Sequence, residues 1–264
     1  MTSDPEAIAR DFLRRIDTAA PGLVTALYLT GSVALGDFSP PGSDIDGVAV
    51  VCRRPDAGDL AALRNVHGEM SGRPYLDLIY LTEAQLSAQP SDAEEVPYSQ
   101  DGEFRDSGAC GQLNPVLWTE LSRYGRTVRG ATPAERDVTP DPDLLREWNV
   151  QNLRTYWAGL ANYVRGATAD GRDGTEPVDI EMLRWVVLGP PRLHYTLATG
   201  GIATKSQAGR YAAERSPRWA ELCDRCVRSR GGEPVTATVD DMRSAAELMA
   251  EVIEDALRLE AASR

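Results

Sequence analysis

The chain has 264 residues, 42% of them hydrophobic, which is enough for one large or two modest cores, and we expect two domains. Its formal net charge of −12 argues against a broad nucleic-acid interface, because phosphate contacts are made by Lys and Arg, and it favours a cationic partner. No apolar run approaches the roughly 20 residues of a membrane-spanning helix, and the N-terminus lacks the features of a signal peptide. We therefore expect a cytoplasmic protein without a membrane partner.

The first half of the chain alternates between helix and strand patterns. Apolar residues recur with the helical period in some segments, whereas others are short apolar runs bounded by turn residues. The predicted elements are helices over 6–19, 57–70 and 115–124 and strands over 23–29, 45–52 and 75–81. The segment 83–112 is polar, holds two prolines and shows no sustained period, so we predict a loop with short helical pieces there.

The second half is largely helical. Helical periodicity covers 143–166, 179–199, 205–214, 217–230 and 239–262, with glycine and proline breakers between these stretches. The segment 128–142 has the proline and glycine content of a linker. The expected fold class is α+β, with a mixed β-sheet flanked by helices in domain 1–140 and an α-helical bundle in domain 141–264.

Two acidic residues at the start of the second predicted strand point to a metal site. Strand side chains alternate between faces, so Asp44 and Asp46 lie on the same face, roughly 6 to 7 Å apart along the strand. Magnesium prefers a few carboxylates together with phosphate oxygens and water. These two aspartates can therefore clamp one magnesium ion that also binds a nucleoside triphosphate.

Small residues at the end of the first predicted strand add a phosphate-binding feature. Gly31 and Ser32 follow that strand and open a short helix, where backbone N–H groups and the Ser hydroxyl can hold phosphate oxygens. Asp77 lies inside the next apolar run and can join Asp44 and Asp46 on the same side of the sheet.

A purely structural interpretation of these acids competes with the functional one. Asp44 could be an exposed turn residue, and Asp46 could be a charge at the start of a strand. The joint pattern favours function: an apolar strand, Gly-Ser, eleven residues, Asp-x-Asp, a second apolar strand, and then a lone carboxylate in an apolar run. Burying a carboxylate without a partner or a metal is unfavourable, so a buried strand rarely carries one.

The Gly-Ser-x11-Asp-x-Asp pattern resembles the signature of the polymerase-beta-like nucleotidyltransferase superfamily. Two blocks resemble the aminoglycoside (3″)(9) adenylyltransferases, the streptomycin and spectinomycin resistance enzymes, more closely. They are LYLTGSVALGDFSPPGSDIDGVAVV at 27–51 and WVVLGPPRLHYTLATGGIATK at 185–205. The resemblance implies an N-terminal nucleotidyltransferase domain and a helical domain that closes the active-site cleft.

The resemblance also implies roles for single residues. Asp44 and Asp46 would hold magnesium, and Ser32, beside Gly31, would contact the triphosphate of ATP as co-substrate. Asp77 lies where the family has its catalytic glutamate. Its shorter side chain leaves open whether Asp77 is the catalytic base or a further metal ligand.

Two basic residues of the second block complete the implied nucleotide site. Arg192 and Lys205 would reach the nucleotide phosphates from the helical domain. Without the resemblance, each is more simply interpreted as a solvated charge on a helix surface or after a Gly-Gly turn.

The acceptor is the least defined part of the implied reaction, which is transfer of AMP from ATP to a hydroxyl of an aminoglycoside or aminocyclitol such as streptomycin or spectinomycin. The acids with which the family recognises its cationic drugs do not carry over, because Met182, Leu183 and Arg184 directly precede the second block. Two alternatives therefore stay open. The chain could transfer AMP to a different small-molecule or protein hydroxyl, or it could be a nucleotide-binding antitoxin-like module without this activity. We expect a cationic small-molecule acceptor, no nucleic-acid partner and a monomeric protein.

Overall fold

The computed structural model describes residues 4–40, 42–90, 95–169 and 171–262. It divides into two compact units, Met1–Asp141 and Pro142–Arg264. The sequence predicts a division after residue 140, one position earlier.

The first unit contains a sheet and several helices. Its helices are α1 (Pro5–Ala19), α2 (Gly31–Ala34), α3 (Ala57–Glu69), α4 (Glu83–Ser87) and α5 (Pro115–Tyr124). Its strands are β1 (Val24–Leu29), β2 (Ile45–Val51), β3 (Leu76–Thr82), β4 (Glu95–Gln100), β5 (Glu103–Ala109) and β6 (Arg126–Arg129). A single 3-10 turn, Ala134–Arg136, follows β6.

The sheet is mixed, as the sequence predicts. Its strand order is β5-β4-β3-β2-β1-β6. The β2 and β3 strands are parallel and are connected through α3, whereas the other neighbouring strands are antiparallel. The parallel register places Asp46 beside Asp77. The register therefore brings two of the predicted site residues onto adjacent strands at one end of the sheet.

Both faces of the central strands are covered, which explains their nearly continuous apolar sequences. In β1, Leu27 and Leu29 belong to the core that α1 and α3 cover, whereas Ala26 and Tyr28 belong to the core on the α5 side. The side chains of these successive β1 residues therefore lie in two different cores, on opposite faces of the sheet, rather than alternating between core and solvent.

The segment 83–112 contains the short helix α4, which agrees with the predicted helical pieces. The prediction of a loop over the rest of the segment is wrong, because β4 and β5 form there; residues 91–94 lie outside the described part of the chain. The β5 strand is the edge of the sheet and mostly exposed, so it lacks the apolar alternation that identifies a strand.

Asp101 and Gly102 connect β4 to β5, with φ values of 54° and 80°. Positive φ at both positions is typical of a two-residue hairpin turn. The β6 strand similarly overlaps the start of the predicted linker.

The second unit is a helical bundle, as predicted. Its helices are α6 (Pro142–Asn152), α7 (Ala158–Ala167), α8 (Ile180–Thr199), α9 (Lys205–Arg215), α10 (Ala220–Arg230) and α11 (Val239–Ala262). One π-helical turn, Leu153–Trp157, connects α6 to α7, and two short strands, β7 (Pro177–Val178) and β8 (Ala237–Thr238), pair with each other. The core includes Leu183, Val187 and Met249. Within the described chain, no helix combines the length and the apolarity that crossing a membrane requires.

Candidate active site

Asp44 and Asp77 lie close together where β2 and β3 begin. Asp44 directly precedes β2, and its Oδ1 accepts a hydrogen bond of 3.1 Å from the backbone N–H of Tyr75. The Arg73 guanidinium lies 3.6 Å from the same oxygen. Asp77 is the second residue of β3 and is 4% exposed. The start of two parallel strands thus places two carboxylates at one end of the sheet.

The two oxygens of the Asp77 carboxylate differ in their contacts. Its Oδ2 accepts a hydrogen bond of 3.2 Å from the backbone N–H of Asp101. Its Oδ1 is buried and has no hydrogen-bond partner among the described residues. Burial, followed by the negative charges of Asp46 and Asp44, raises the pKa of Asp77 to about 7. Such a carboxyl group can both lose and accept a proton near neutral pH.

The structure adds one carboxylate that the sequence analysis does not identify. One oxygen from each of Asp44, Asp77 and Asp101 lies within 4.8 Å of the other two. Asp101 comes from the β4–β5 turn and is exposed, whereas Asp44 is half-buried. Among the described residues, Asp46 is outside this set of three.

Asp46 instead contacts Gly31, at the start of α2, and the segment that precedes α5. Its Oδ1 accepts a hydrogen bond of 3.3 Å from Nε2 of Gln112. Its Oδ2 lies so close to Gly31 that a Cβ at that position would overlap it. The predicted neighbourhood of Asp46 and the Gly-Ser pair is therefore present, and it depends on residue 31 having no side chain.

At the start of α2, the N–H of Gly31 has a hydrogen-bond partner and the hydroxyl of Ser32 does not, among the described residues. Gly31 has φ of +55°, and its N–H donates a hydrogen bond of 3.1 Å to Oε2 of Glu120 on α5. The hydroxyl oxygen of Ser32 is buried and has no hydrogen-bond partner in the described part of the chain. The Ser32 hydroxyl, rather than the Gly31 N–H, is thus an unsatisfied donor at the start of α2 among the described residues.

Three residues of this site escape the sequence analysis: Asp101, Gln112 and Glu120. The Asp-Gly dipeptide at 101–102 is a strong hairpin signal between strands, so it could have placed Asp101 at a turn. No local pattern marks Gln112 or Glu120, because each acts on a residue more than sixty positions away along the chain.

Arg192 and Lys205 are brought together within the second unit. The Nε of Arg192, on α8, donates a hydrogen bond of 3.1 Å to the backbone oxygen of Ala203. Lys205 is the first residue of α9, and its Nζ lies 5.3 Å from the centre of the Trp185 ring. The hydrogen bond therefore ties the helix that carries Arg192 to the segment that leads into Lys205.

Comparison with known proteins supports the architecture. The sequence matches no protein-family model and no curated protein. Among solved structures, the chain is similar to spectinomycin adenyltransferase AAD(9) from Enterococcus faecialis, determined with ATP and spectinomycin, at 16% identity and a TM-score of 0.71. The similarity covers 95% of this chain and 98% of that one. The two proteins share one fold. The fold implied by the sequence resemblance is thereby confirmed, over both the sheet-containing unit and the helical bundle.

Proposed function

We propose that the protein is a magnesium-dependent nucleotidyltransferase that transfers AMP from ATP to a hydroxyl of an aminoglycoside or aminocyclitol such as streptomycin or spectinomycin. The observation that carries this proposal is the buried, unpaired Oδ1 of Asp77 beside Asp44 and Asp46. Burial of an unpaired carboxylate is unfavourable unless a cation or a proton joins it. The shared fold with an adenyltransferase that was determined with ATP and spectinomycin supports the same chemistry.

The donor set fits magnesium. Asp44, Asp46 and Asp77 offer carboxylate oxygens, which are the ligands that this hard cation prefers, and one of these oxygens has no other partner in the described chain. When bound, magnesium would neutralise charge on the triphosphate and on the departing pyrophosphate.

We propose that Gly31 and Ser32 contact the phosphates of the nucleotide. The Ser32 hydroxyl is unsatisfied among the described residues and can donate to a phosphate oxygen. Gly31, beside it, leaves room for the Asp46 carboxylate. We propose that Arg192 and Lys205 supply positive charge to the phosphates, as the sequence resemblance implies.

The reaction then follows from these roles. The acceptor hydroxyl attacks the α-phosphorus of ATP in line, a new O–P bond forms, and the bond to pyrophosphate breaks. The hydroxyl proton passes to Asp77 or to a water that Asp77 orients. The products are the adenylylated acceptor, pyrophosphate and one proton.

One observation favours a different acceptor. Where the resembling family has acids for its cationic drugs, this chain has Met182, which is exposed, and Leu183, which is buried in the bundle core. A less cationic small molecule or a protein hydroxyl is therefore the second candidate.

Pyrophosphate release tests the proposal. The full chain is incubated with ATP, magnesium and either streptomycin, spectinomycin, kanamycin or hygromycin. Release with streptomycin or spectinomycin that disappears in Asp46→Asn supports it, and Asp106→Asn, which removes an exposed carboxylate paired with Arg64, is the matched control. Magnesium-dependent ATP binding without release would shift the proposal to another acceptor. Absence of such binding would overturn the enzymatic proposal.

A further inference from the structure

The hairpin turn between β4 and β5 presents a carboxylate to the candidate active site. Asp101 is the first residue of this two-residue turn, and its backbone N–H donates to Oδ2 of Asp77 at 3.2 Å. This hydrogen bond fixes the turn against the start of β3. The Asp101 side chain consequently lies beside carboxylates that come from two other segments of the chain.

The spacing of these carboxylates suits one divalent cation. Oxygens of Asp44, Asp77 and Asp101 lie within 4.8 Å of one another. Metal–oxygen bonds are about 2.1 Å for magnesium and about 2.4 Å for calcium, so two ligands of one ion are at most about 4.2 to 4.8 Å apart. The oxygens of the three carboxylates therefore lie close to the separation that ligands of one ion have.

A second observation at the same place points to a ligand. The Oδ1 of Asp77 is buried and has no hydrogen-bond partner among the described residues, although Asp77 itself is 4% exposed. Buried polar atoms almost always have a partner, and an unpaired one needs a specific explanation. A bound cation provides that partner.

The arginines around the turn do not balance the charge of these acids. Arg105 pairs with Glu103, and Arg64 pairs with Asp106, so both contact other carboxylates of β5. Arg73 lies 3.6 Å from Asp44 and is about half exposed, so it neutralises at most one of the three acids. The cluster retains a net negative charge that a divalent cation can balance.

We propose that Asp101 is a ligand of the cation that Asp44 and Asp77 hold, so that the start of β2, the start of β3 and the β4–β5 turn each contribute one carboxylate. This inference deepens the proposed function and rests on it for the identity of the cation. The β4–β5 turn would thus add a carboxylate ligand from the exposed side of the site.

Binding of Mn²⁺ to the full chain without ATP, measured by electron paramagnetic resonance, tests the inference independently of catalysis. The variant is Asp101→Asn. Asn also tolerates positive φ, and it keeps the backbone N–H that donates the hydrogen bond to Asp77. We expect Mn²⁺ binding at least tenfold weaker than in the wild type. The control is Glu103→Gln, which removes a carboxylate that is 75% exposed on the same hairpin, and it should change the affinity less than twofold.

The outcomes separate this inference from the proposed function. Weaker binding in Asp101→Asn, with an unchanged melting temperature, supports the ligand role even if no acceptor tried releases pyrophosphate. Unchanged Mn²⁺ affinity in Asp101→Asn, or equal weakening in Glu103→Gln, overturns the ligand role even if the wild type is an active transferase. Absence of Mn²⁺ binding to the wild type without ATP also overturns it.

Discussion

The backbone N–H of Gly31 donates a hydrogen bond of 3.1 Å to Oε2 of Glu120, 89 residues further along the chain. Glu120 is 5% exposed, so its carboxylate needs internal donors, and the half-buried N–H of Gly31 needs an acceptor. Each group therefore satisfies a requirement of the other. Through this bond α5 holds the start of α2, which carries Ser32 and contacts Asp46.

Two substitutions of Glu120 should distinguish the effect of its hydrogen-bond acceptor on stability from the effect of its negative charge. Glu120→Leu leaves the Gly31 N–H unsatisfied, and we expect a loss of about 1 to 3 kcal/mol in the free energy of unfolding relative to Glu120→Gln. Both variants remove the negative charge, but Gln retains an oxygen that can accept the bond. Urea unfolding followed by circular dichroism measures the difference. Equal stability of the two variants would show that the hydrogen bond has no net effect.

Gly31→Ala should disrupt the site more than a comparable glycine substitution elsewhere. Ala at φ of +55° is strained by about 1 kcal/mol, and its Cβ would overlap Oδ2 of Asp46. We expect the proposed AMP transfer to fall about 100-fold, because a shift of about 1 Å in a group that takes part in catalysis has an effect of this size.

Gly36→Ala is the matched control for this prediction. Gly36 has φ of +73°, and a Cβ there would meet no atom within 4 Å. The Gly36→Ala variant has the same kind of backbone strain as Gly31→Ala but does not displace Asp46. The rate of the proposed AMP transfer should therefore change less than about threefold, since only the local backbone is affected. Similar losses in both variants would attribute the effect to backbone strain alone.

The motif residues were predictable because their placement depends on local periodicity. Asp44 and Asp46 flank Ile45 where the apolar run of β2 begins, and Asp77 interrupts the apolar run of β3. Alternation along a strand and the order of strands in a sheet then bring such residues to one end. The helical bundle was predictable for the same reason, since helical periodicity persists over long segments.

The supporting residues were not predictable, because their partners are remote in sequence. The role of Glu120 depends on how α5 packs against α2, and the contact of Gln112 with Asp46 depends on the path of the chain after β5. The edge strand β5 is polar and exposed, so no hydrophobic pattern marks it. Only the Asp101-Gly102 dipeptide carried a local signal for its hairpin.

Because of His67, the folded protein should be less stable at about pH 4 than at pH 6.5. Its ring is 4% exposed, packs against Phe12 and Phe104, and hydrogen-bonds the Tyr80 hydroxyl at 2.6 Å through Nε2. Burial lowers the pKa of His67 from 6.5 to about 4. The unfolded chain therefore takes up a proton below pH 6.5 before the folded protein does. Stability falls as the pH drops from about 6.5 to about 4, by on the order of 3 kcal/mol from this residue.

Histidine NMR resonances and pH-dependent unfolding together check this prediction. The His67 imidazole should remain neutral until about pH 4, and His67→Gln should show a shallower loss of stability between pH 6.5 and 4 than the wild type. His194, the other histidine, has a pKa that burial also lowers, so it must be assigned separately. Titration of His67 near pH 6.5 in the folded protein would contradict the prediction.

Two glycines of the helical bundle should respond in opposite directions to the same substitution. Gly189 lies within α8 against the Trp157 ring, and a Cβ there would overlap Cη2 and Cζ2 of that ring. Gly189→Ala should therefore lower the free energy of unfolding by about 1 to 3 kcal/mol, as overpacking does. Gly159, in α7, is exposed, and a Cβ there would meet no atom within 4 Å. Gly159→Ala should raise the free energy of unfolding by about 0.5 to 1 kcal/mol, because Ala loses less backbone entropy in a helix. Guanidinium unfolding measures both; an equal response would mean that the Trp157 ring moves aside freely, and that the close approach of α8 to this ring does not require glycine.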